Sequence, residues 1–517
     1  MARGNDESEV PPVTMVTIRE EDLIESVADA LQFISYFHPM DYIRALGVAY
    51  EAEQGPAAKD AIAQILTNSR MCAEGHRPIC QDTGIVNVFV KWGQSCRLES
   101  DRSMQDVVDE GVRRAYLHPE NKLRASVLAD PAFTRRNTRD NTPCVLHVTM
   151  VPGSKVSVDV AAKGGGSENK SKFKMMNPSD NIVDWVLEML PQMGAGWCPP
   201  GMLGIGIGGT AEHCMVLAKQ SLMEPIDMAQ LKLRGAQTDI EAMRIDIFDR
   251  VNALGIGAQG LGGLSTILDV KIYDAPCHAA GKPVAMIPNC AATRHAHFTL
   301  DGSGPAYLEK PNLADWPDVH WTPDKAARRV NLDTLTRAEV ESWEHGDRLL
   351  LSGRMLTGRD AAHKRIQDML AKGEPLPIEF RDRAIYYVGP VDPVLGEVVG
   401  PAGPTTATRM DQFTDMMLDL GLLTMIGKAE RGQGAVDCIA RHKVAYLMAV
   451  GGAAYLVSRA IRESKVVAFA DLGMEAIYEF TVEDMPVTVA VDSEGNNVHQ
   501  LAPLVWKDKI AREGLLG

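Results

Sequence analysis

Three glycine-dense runs crowd the middle of the chain: AKGGGSENK at 162–170, GMLGIGIGGT at 201–210 and LGIGAQGLGGL at 254–264. Glycine loses more conformational freedom on folding than any other residue, so it sits poorly inside regular elements. It is favoured where the backbone approaches a ligand closely or takes positive φ. Such runs point to main chain brought against a bound ligand, or turned through positive φ.

Two of the runs satisfy G-x-G-x-x-G, at Gly204–Gly209 and Gly255–Gly260. A dinucleotide site needs that motif to leave a strand and open a helix, with an acid about 20 residues on. The second motif follows RIDIFDRVNAL, a helical pattern. The first follows Pro199-Pro200-Gly201, and its acid, Glu224, is followed at once by Pro225. A nicotinamide-dependent dehydrogenase is thus the weaker reading. KGGGSENKSK lacks the G-K-[ST] ending of a P-loop.

Around these runs the pattern is mixed. Ile24, Val27, Leu31 and Ile34 recur at helical spacing, and GIVNVFVKWG at 84–93 is rich in β-formers. PCVLHVTMVPGSKVSVDVAA at 143–162 alternates on both sides of Pro152-Gly153 and predicts a hairpin. Residues 309–329, rich in Pro, Trp and charge, read as an interdomain linker. Beyond it, RAIYYVGPV, VVAFADLG and PVTVAVDS read as strands, with GRDAAHKRIQDMLAK and AAYLVSRAIRE as helices among them. The apolar run at 444–457 is fourteen residues long. It is too short to cross a bilayer and predicts a buried helix. The organisation expected is a flexible tail over 1–14, a large N-terminal mixed α/β domain over 15–308, the linker, and a smaller α/β domain over 330–517.

A net charge of −15 puts no excess of Lys and Arg before phosphate and argues against a nucleic-acid partner. An anionic substrate would need a locally cationic pocket. Nine cysteines, an odd number without dense spacing, do not form a disulfide framework. The N-terminus MARGNDESEVPPV has neither a signal core nor an Arg-rich transit character. The expectation is a cytoplasmic protein without a membrane segment.

Cys72, Cys96, Cys144, Cys214, Cys277 and Cys438 read as small packing residues. Cys80 in ICQDTG, Cys198 in GWCPPG and Cys290 in NCAATRHAHF differ, because each borders structure-breaking or polar residues. No C-x-x-C spacing is present, which disfavours structural zinc and a ferredoxin-type cluster. Spacing alone leaves open whether the three meet. Arg124, Arg359, Arg409 and Lys428 stand in glycine-rich or turn contexts. Arg suits a carboxylate because its planar fork binds both oxygens, so several together would suit a dicarboxylate.

Taken in order, ICQDTG, LRAS, KGGGSENKS, GWCPPG, GIGGTAE, NCAATRHAHFTLDGSGPA, LTGRDAAHKR, VGPAGPTTATRMD and MIGKAERG resemble the class I fumarases, iron–sulfur hydro-lyases whose family includes L-tartrate dehydratase. The resemblance covers the chain after its first 15 or so residues. It implies a two-domain α+β and α/β fold, with an N-terminal cluster-binding domain and a swivelling C-terminal β/β/α-type domain. It implies a [4Fe-4S] cluster on Cys80, Cys198 and Cys290 with one iron open, and reversible hydration of fumarate to L-malate, a tricarboxylic acid cycle reaction. Gln81, Arg124, the Gly165 backbone, Arg359, Arg409 and Lys428 would bind substrate. Thr405 would be the base, with Asp82 and His278 activating it or handling the hydroxyl. A homodimer is expected from the family. His295 and His297 read as supporting or packing residues. Mesaconate or tartrate is the alternative substrate, and a non-catalytic iron or redox sensor the alternative without chemistry. A sensor would not need Thr405, Arg409 and Lys428 together.

Overall fold

The computed structural model describes residues 15–394 and 396–516. The tail expected over 1–14 lies outside them. The N-terminal half opens with three helices, α1 (Glu20–Tyr36), α2 (Met40–Ala52) and α3 (Pro56–Gly75). Ile24, Val27, Leu31 and Ile34 lie on the buried face of α1, as their spacing predicted, and Leu23 joins them. Proline at the first position of α3 leaves no orphan N–H, and His76 in the left-handed region ends that helix.

Eight of the strands that follow build the main sheets of this half: β1 (Ile85–Gly93), β2 (Val145–Val151), β3 (Val156–Lys163), β4 (Lys172–Met176), β5 (Gly201–Gly208), β6 (Ile267–Ala275), β7 (Lys282–Asn289) and β8 (His295–Leu300). They form two four-stranded sheets, in the orders β8-β3-β1-β2 and β6-β5-β7-β4. The hairpin expected at 143–162 is not formed. β2 and β3 flank β1, which runs parallel to the first and antiparallel to the second. The reason is burial: β1 is buried along most of its length and takes the middle of the sheet, while β2 is largely exposed and forms its edge.

Gly204 and Gly206, the first two glycines of the first G-x-G-x-x-G, lie inside β5, under helix α4 (Ala211–Ser221). A Cβ on Gly204 would stand 2.1 Å from the Ala218 carbonyl oxygen, and one on Gly206 1.9 Å from that of Cys214. These residues let a helix lie on a strand. In the second run, a Cβ on Gly257 would meet the Gly262–Gly263 main chain at 2.5–2.6 Å. Both motifs serve internal packing.

The C-terminal half is a seven-stranded sheet: β9 (Arg328–Asn331), β10 (Arg348–Thr357), β11 (Ala384–Tyr386), β12 (Thr424–Gly427), β13 (Ala445–Met448), β14 (Ile461–Ala468) and β15 (Ile477–Val491). Its order is β9-β10-β11-β12-β13-β15-β14, and a further pairing of β10 with β15 closes the central strands into a ring. β10 to β13 are mutually parallel, so their carboxyl ends lie on one side. The helix expected over 444–457 is instead β13, a Gly451-Gly452 turn and a short helix at Ala454–Arg459. Gly452 has φ +88°, which stops regular structure between two apolar runs. The helix read in AAYLVSRAIRE likewise ends at Arg459, and β14 begins at Ile461.

The two halves share one apolar core. Phe37, Leu46, Ile62 and Leu66 of the first belong to the same buried cluster as Ile366, Ile385, Phe413 and Tyr446 of the second. The segment 309–329 runs along α3. Trp316 Nε1 donates to Ser69 Oγ at 3.0 Å, and Trp321 Nε1 to Asp60 Oδ1 at 3.0 Å. Among the described residues no helix is long and apolar enough to cross a membrane.

The glycine account predicts that Gly206→Val lowers stability by about 3 kcal/mol or more, because backbone carbonyls cannot yield as side chains can. Gly434 lies in a helix, and a Cβ there meets nothing within 4 Å. Gly434→Ala should be neutral or stabilising by up to about 1 kcal/mol. Urea midpoints of the two variants check both statements.

Candidate active site

Strand register brings two of the three motif cysteines together. β5 and β7 are antiparallel neighbours with Met202 opposite Asn289, so the start of one and the end of the other share an edge. Cys198 precedes that start and Cys290 follows that end. Ala291 N donates to the Cys198 carbonyl at 2.9 Å and joins the two loops. A Cβ on Gly201 would lie 1.8 Å from the Asn289 carbonyl oxygen, so the last glycine of GWCPPG is what lets the strands approach. Cys198 itself has φ +57°, a conformation rare for a residue with a side chain.

Cys80 comes from the connection between α3 and β1. It packs with Cys72, Ile79, Ala292 and Cys290 in one small cluster. His38 ties helix α3 to the third cysteine loop, its Nδ1 2.8 Å from Ser69 Oγ and its Nε2 3.0 Å from the Ala291 carbonyl. The C-terminal half closes the arrangement. Gln259 donates to the carbonyls of Pro199 and Gly451 and accepts from Gly451 N at 2.8 Å. A Cβ on Gly451 would stand 2.4 Å from Cys198 Sγ. All nine cysteines are free thiols.

Against these loops lies a cavity of about 350 Å³. The N-terminal half contributes Gln81, Asp82, Arg124 and Gly165, and the C-terminal half Arg359, Thr405, Arg409 and Lys428. The C-terminal contributors follow the carboxyl ends of parallel strands: Arg359 after β10 and Lys428 after β12. The crevice beyond strand carboxyl ends is where open α/β sheets bind ligands. Thr405 is fixed by its main chain, its N–H donating to the Tyr387 carbonyl at 2.7 Å and its carbonyl accepting from Lys428 N at 3.0 Å. Among the described residues its hydroxyl has no protein partner.

Lys428 joins the cavity to the cysteines. Its Nζ donates to Cys198 Sγ at 3.1 Å. Burial alone would discharge the ammonium, but Cys198, Cys80 and Cys290 around it raise its pKa above the ordinary value. Burial pushes the Cys80 thiol up, and the Cys198 thiol to about 11, with Lys428 pulling each back. Burial would likewise raise the Asp82 carboxyl, but Arg124, Arg294, Lys428 and the Gly165 N–H outweigh it and hold that carboxylate below the ordinary range. Asp82 Oδ2 accepts from Gly165 N at 2.8 Å. Arg124, lowered to about 10 by burial and by the neighbouring Arg359, remains charged at neutral pH.

His278 stands apart. It lies on an exposed turn between β6 and β7, its Nδ1 accepting from Ala280 N at 3.0 Å, and it does not line the cavity. His297 is exposed and pairs with Asp159 at 2.9 Å, whereas His295 keeps a buried Nδ1 without a partner. Sequence reasoning missed Asn169, Lys170, Lys172, Gln192, Thr406 and Thr408, which also line the cavity. Asn169, Lys170 and the two threonines stand in motifs already singled out, but nothing in the sequence marks Gln192. It missed Arg294 as well, buried and with its Nε unpartnered, whose charge acts on Cys80 and Asp82.

The donor chemistry fits a cluster better than a single ion. Among the described residues the His, Cys, Asp or Glu trio close enough for one ion, within 4.8 Å, is Asp415, Cys438 and His442, outside the cavity. Cys80, Cys198 and Cys290 converge around Lys428 without meeting that spacing, as three corners of a larger group would require. Thiols become thiolates when a metal binds them.

Residues 24–299 match the family model described as fumarate hydratase (Fumerase), and residues 302–502 match that of the fumarase C-terminus. Fumarate hydratase 2 of Leishmania major is 31% identical over 91% of this chain and 85% of its own length. The anaerobic class I fumarate hydratase of Escherichia coli is 28% identical over 94% and 91%. A putative L(+)-tartrate dehydratase subunit alpha of Methanocaldococcus jannaschii is 34% identical over 52% of this chain and 94% of its own.

Burial depresses His38 to about 3 and His363 to about 4, so both are neutral in the folded protein at mildly acid pH. The unfolded chain protonates them below about 6.5, so it binds more protons and stability falls as pH falls towards the folded pKa values. Each should contribute up to about 1.4 kcal/mol per pH unit between pH 6 and 4. Urea midpoints across that range check the slope, and His38→Gln should remove its share.

Proposed function

The chain belongs to the class I fumarate hydratase family and is a carbon–oxygen hydro-lyase; on that premise we propose that it interconverts fumarate and L-malate by reversible hydration, with a [4Fe-4S] cluster on Cys80, Cys198 and Cys290. The observation that carries this reading is Lys428, one ammonium that touches Cys198 Sγ and also lines the cationic cavity. When bound, the cluster supplies an iron without a protein ligand, a Lewis acid that makes a hydroxyl a better leaving group.

The chain's own residues do the rest. Arg124 and Arg359 bind a carboxylate from two sides, and Arg409 receives the other. Removal of a proton from carbon beside a carboxylate builds negative charge. Preorganised cations stabilise it, and the cavity offers Arg124, Lys428 and Lys172, together with Arg359, Arg409 and Lys170 in pairs with Glu475, Asp360 and Glu430, against Asp82. Thr405 takes the proton as an alkoxide that this field stabilises, once its own hydroxyl proton has passed to a neighbouring base. Asp82, held ionised, is the base that takes the Thr405 proton and returns it to the departing hydroxide as water, and Gln81 and the Gly165 main chain orient the substrate. His278 remains the further candidate for the hydroxyl side, acting from outside the cavity lining of one chain.

A single chain with both halves favours fumarate over tartrate, since the tartrate dehydratase relative aligns with only 52% of it. Mesaconate, with one added methyl group, is the neighbouring alternative. We read 15–308 and 330–517 as the two domains, joined through 309–329. Their continuous core restricts any swivelling of the second to small displacements. A homodimer is supported by exposed Val145, Val148 and Met150 on edge strand β2 and Phe173 and Met175 on edge strand β4. A cytoplasmic place in the tricarboxylic acid cycle completes the reading.

An anaerobic spectrum and iron count, run as L-malate is added, tests it. Cluster absorbance near four irons per chain with fumarate appearing, both lost in air, is expected; no iron after anaerobic reconstitution overturns it. Serine at Cys80, Cys198 or Cys290 should abolish iron retention and activity together. Thr405→Ala should keep its iron and lose about 10²-fold or more in kcat.

A further inference from the structure

The cavity opens outward into a wider cleft of about 880 Å³, walled on one side by residues 471–475. Glu475, on this wall, reaches back to a cation of the inner pocket. Its Oε1 accepts from Arg359 Nη2, and its Oε2 from Ala361 N at 3.1 Å, in the first turn of helix α5 (Asp360–Lys372). Arg359 is 8% exposed, and its buried Nε has no partner. A Cβ on Gly389 would stand 2.6 Å from Arg359 Nη1, so the guanidinium is boxed between the Gly389 main chain and Glu475. From the other side Arg124 Nη1 donates to the Gly389 carbonyl at 2.6 Å. Two guanidinium groups therefore flank one peptide and repel each other.

We propose that Glu475 is the positioning residue for Arg359: it pins the guanidinium beside Arg124 against their mutual repulsion, in the cavity wall where a substrate carboxylate would meet both. The inference rests on the dicarboxylate reading of the cavity. Glu475 acts through Arg359 and not on the reacting carbons. Its second oxygen, tied to the helix N-terminus, fixes the carboxylate in turn, because backbone N–H groups there favour negative charge. Glutamine would keep the length of the contact and lose its charge.

The test uses the anaerobic holoenzyme and succinate, a saturated four-carbon dicarboxylate that cannot be dehydrated or hydrated. Glu475→Gln should weaken succinate binding and raise KM by about tenfold, as for one lost charge-assisted hydrogen bond, with kcat within about threefold. Glu475→Asp, which keeps the charge, should lose less. Arg359→Gln should weaken binding at least as much, and the double variant should bind no more weakly than Arg359→Gln alone. Unchanged or tighter binding in Glu475→Gln, equal losses with Asp and Gln, or losses that multiply in the double variant overturn the inference. If Arg359→Gln alone binds succinate as the parent does, the dicarboxylate reading of Arg359 fails instead.

Discussion

Lys428 Nζ, 3.1 Å from Cys198 Sγ, is the contact on which the candidate site depends. A buried ammonium is costly unless polar or negative groups surround it, and sulfurs that become thiolates on binding a metal are costly unless positive charge lies nearby. Each half of the chain therefore supplies what the other needs. The N-terminal half brings three sulfurs on loops at sheet and helix ends. The C-terminal half brings Lys428 at the carboxyl end of a parallel strand, with Arg359 beside it in space.

Close main-chain approach makes this meeting sterically feasible. Gly201 lets β5 lie against β7, and so sets Cys198 beside Cys290. Gly451 lets the C-terminal half come up to Cys198 Sγ, where Gln259 clamps the two halves together. Asn68 adds a second clamp, donating to the carbonyls of Ile79 and Gly452 and accepting from Tyr455 N and Leu456 N. Glycines that resemble a nucleotide motif in one dimension thus act as spacers between elements. Their role follows from what lies opposite each of them.

The electrostatics invert the character of the whole molecule. A chain of net charge −15 gathers Arg124, Arg359, Arg409, Lys428, Lys170 and Lys172 around one cavity. Asp82 survives there as a carboxylate because the surrounding cations outweigh its burial. Arg124 keeps its proton although burial and Arg359 depress it to about 10. Such a field suits a dianion and disfavours neutral ligands.

Much was legible from sequence. Helical spacing showed the buried face of α1, β-former content showed β1, and the motif residues around Cys80, Cys198, Cys290, Arg359, Thr405, Arg409 and Lys428 marked a site of anion chemistry. These are local signals: periodicity reports a face, and residue type reports what a side chain can bind. Strand pairing is non-local, so alternation at 143–162 showed two strands but not that β1 would come between them. A short apolar run is equally compatible with strand or helix, so 444–457 was read as one helix until the Gly451-Gly452 turn divided it. Gln192 and Glu475 join the cavity wall only through packing, and a lone Gln or Glu has no pattern of its own. The sequence alone determined the kinds of chemistry available and the order in which they occur. Only the tertiary structure decided which residues meet, because distances across 92 or 230 residues of chain are set by register and close packing, and not by spacing along it.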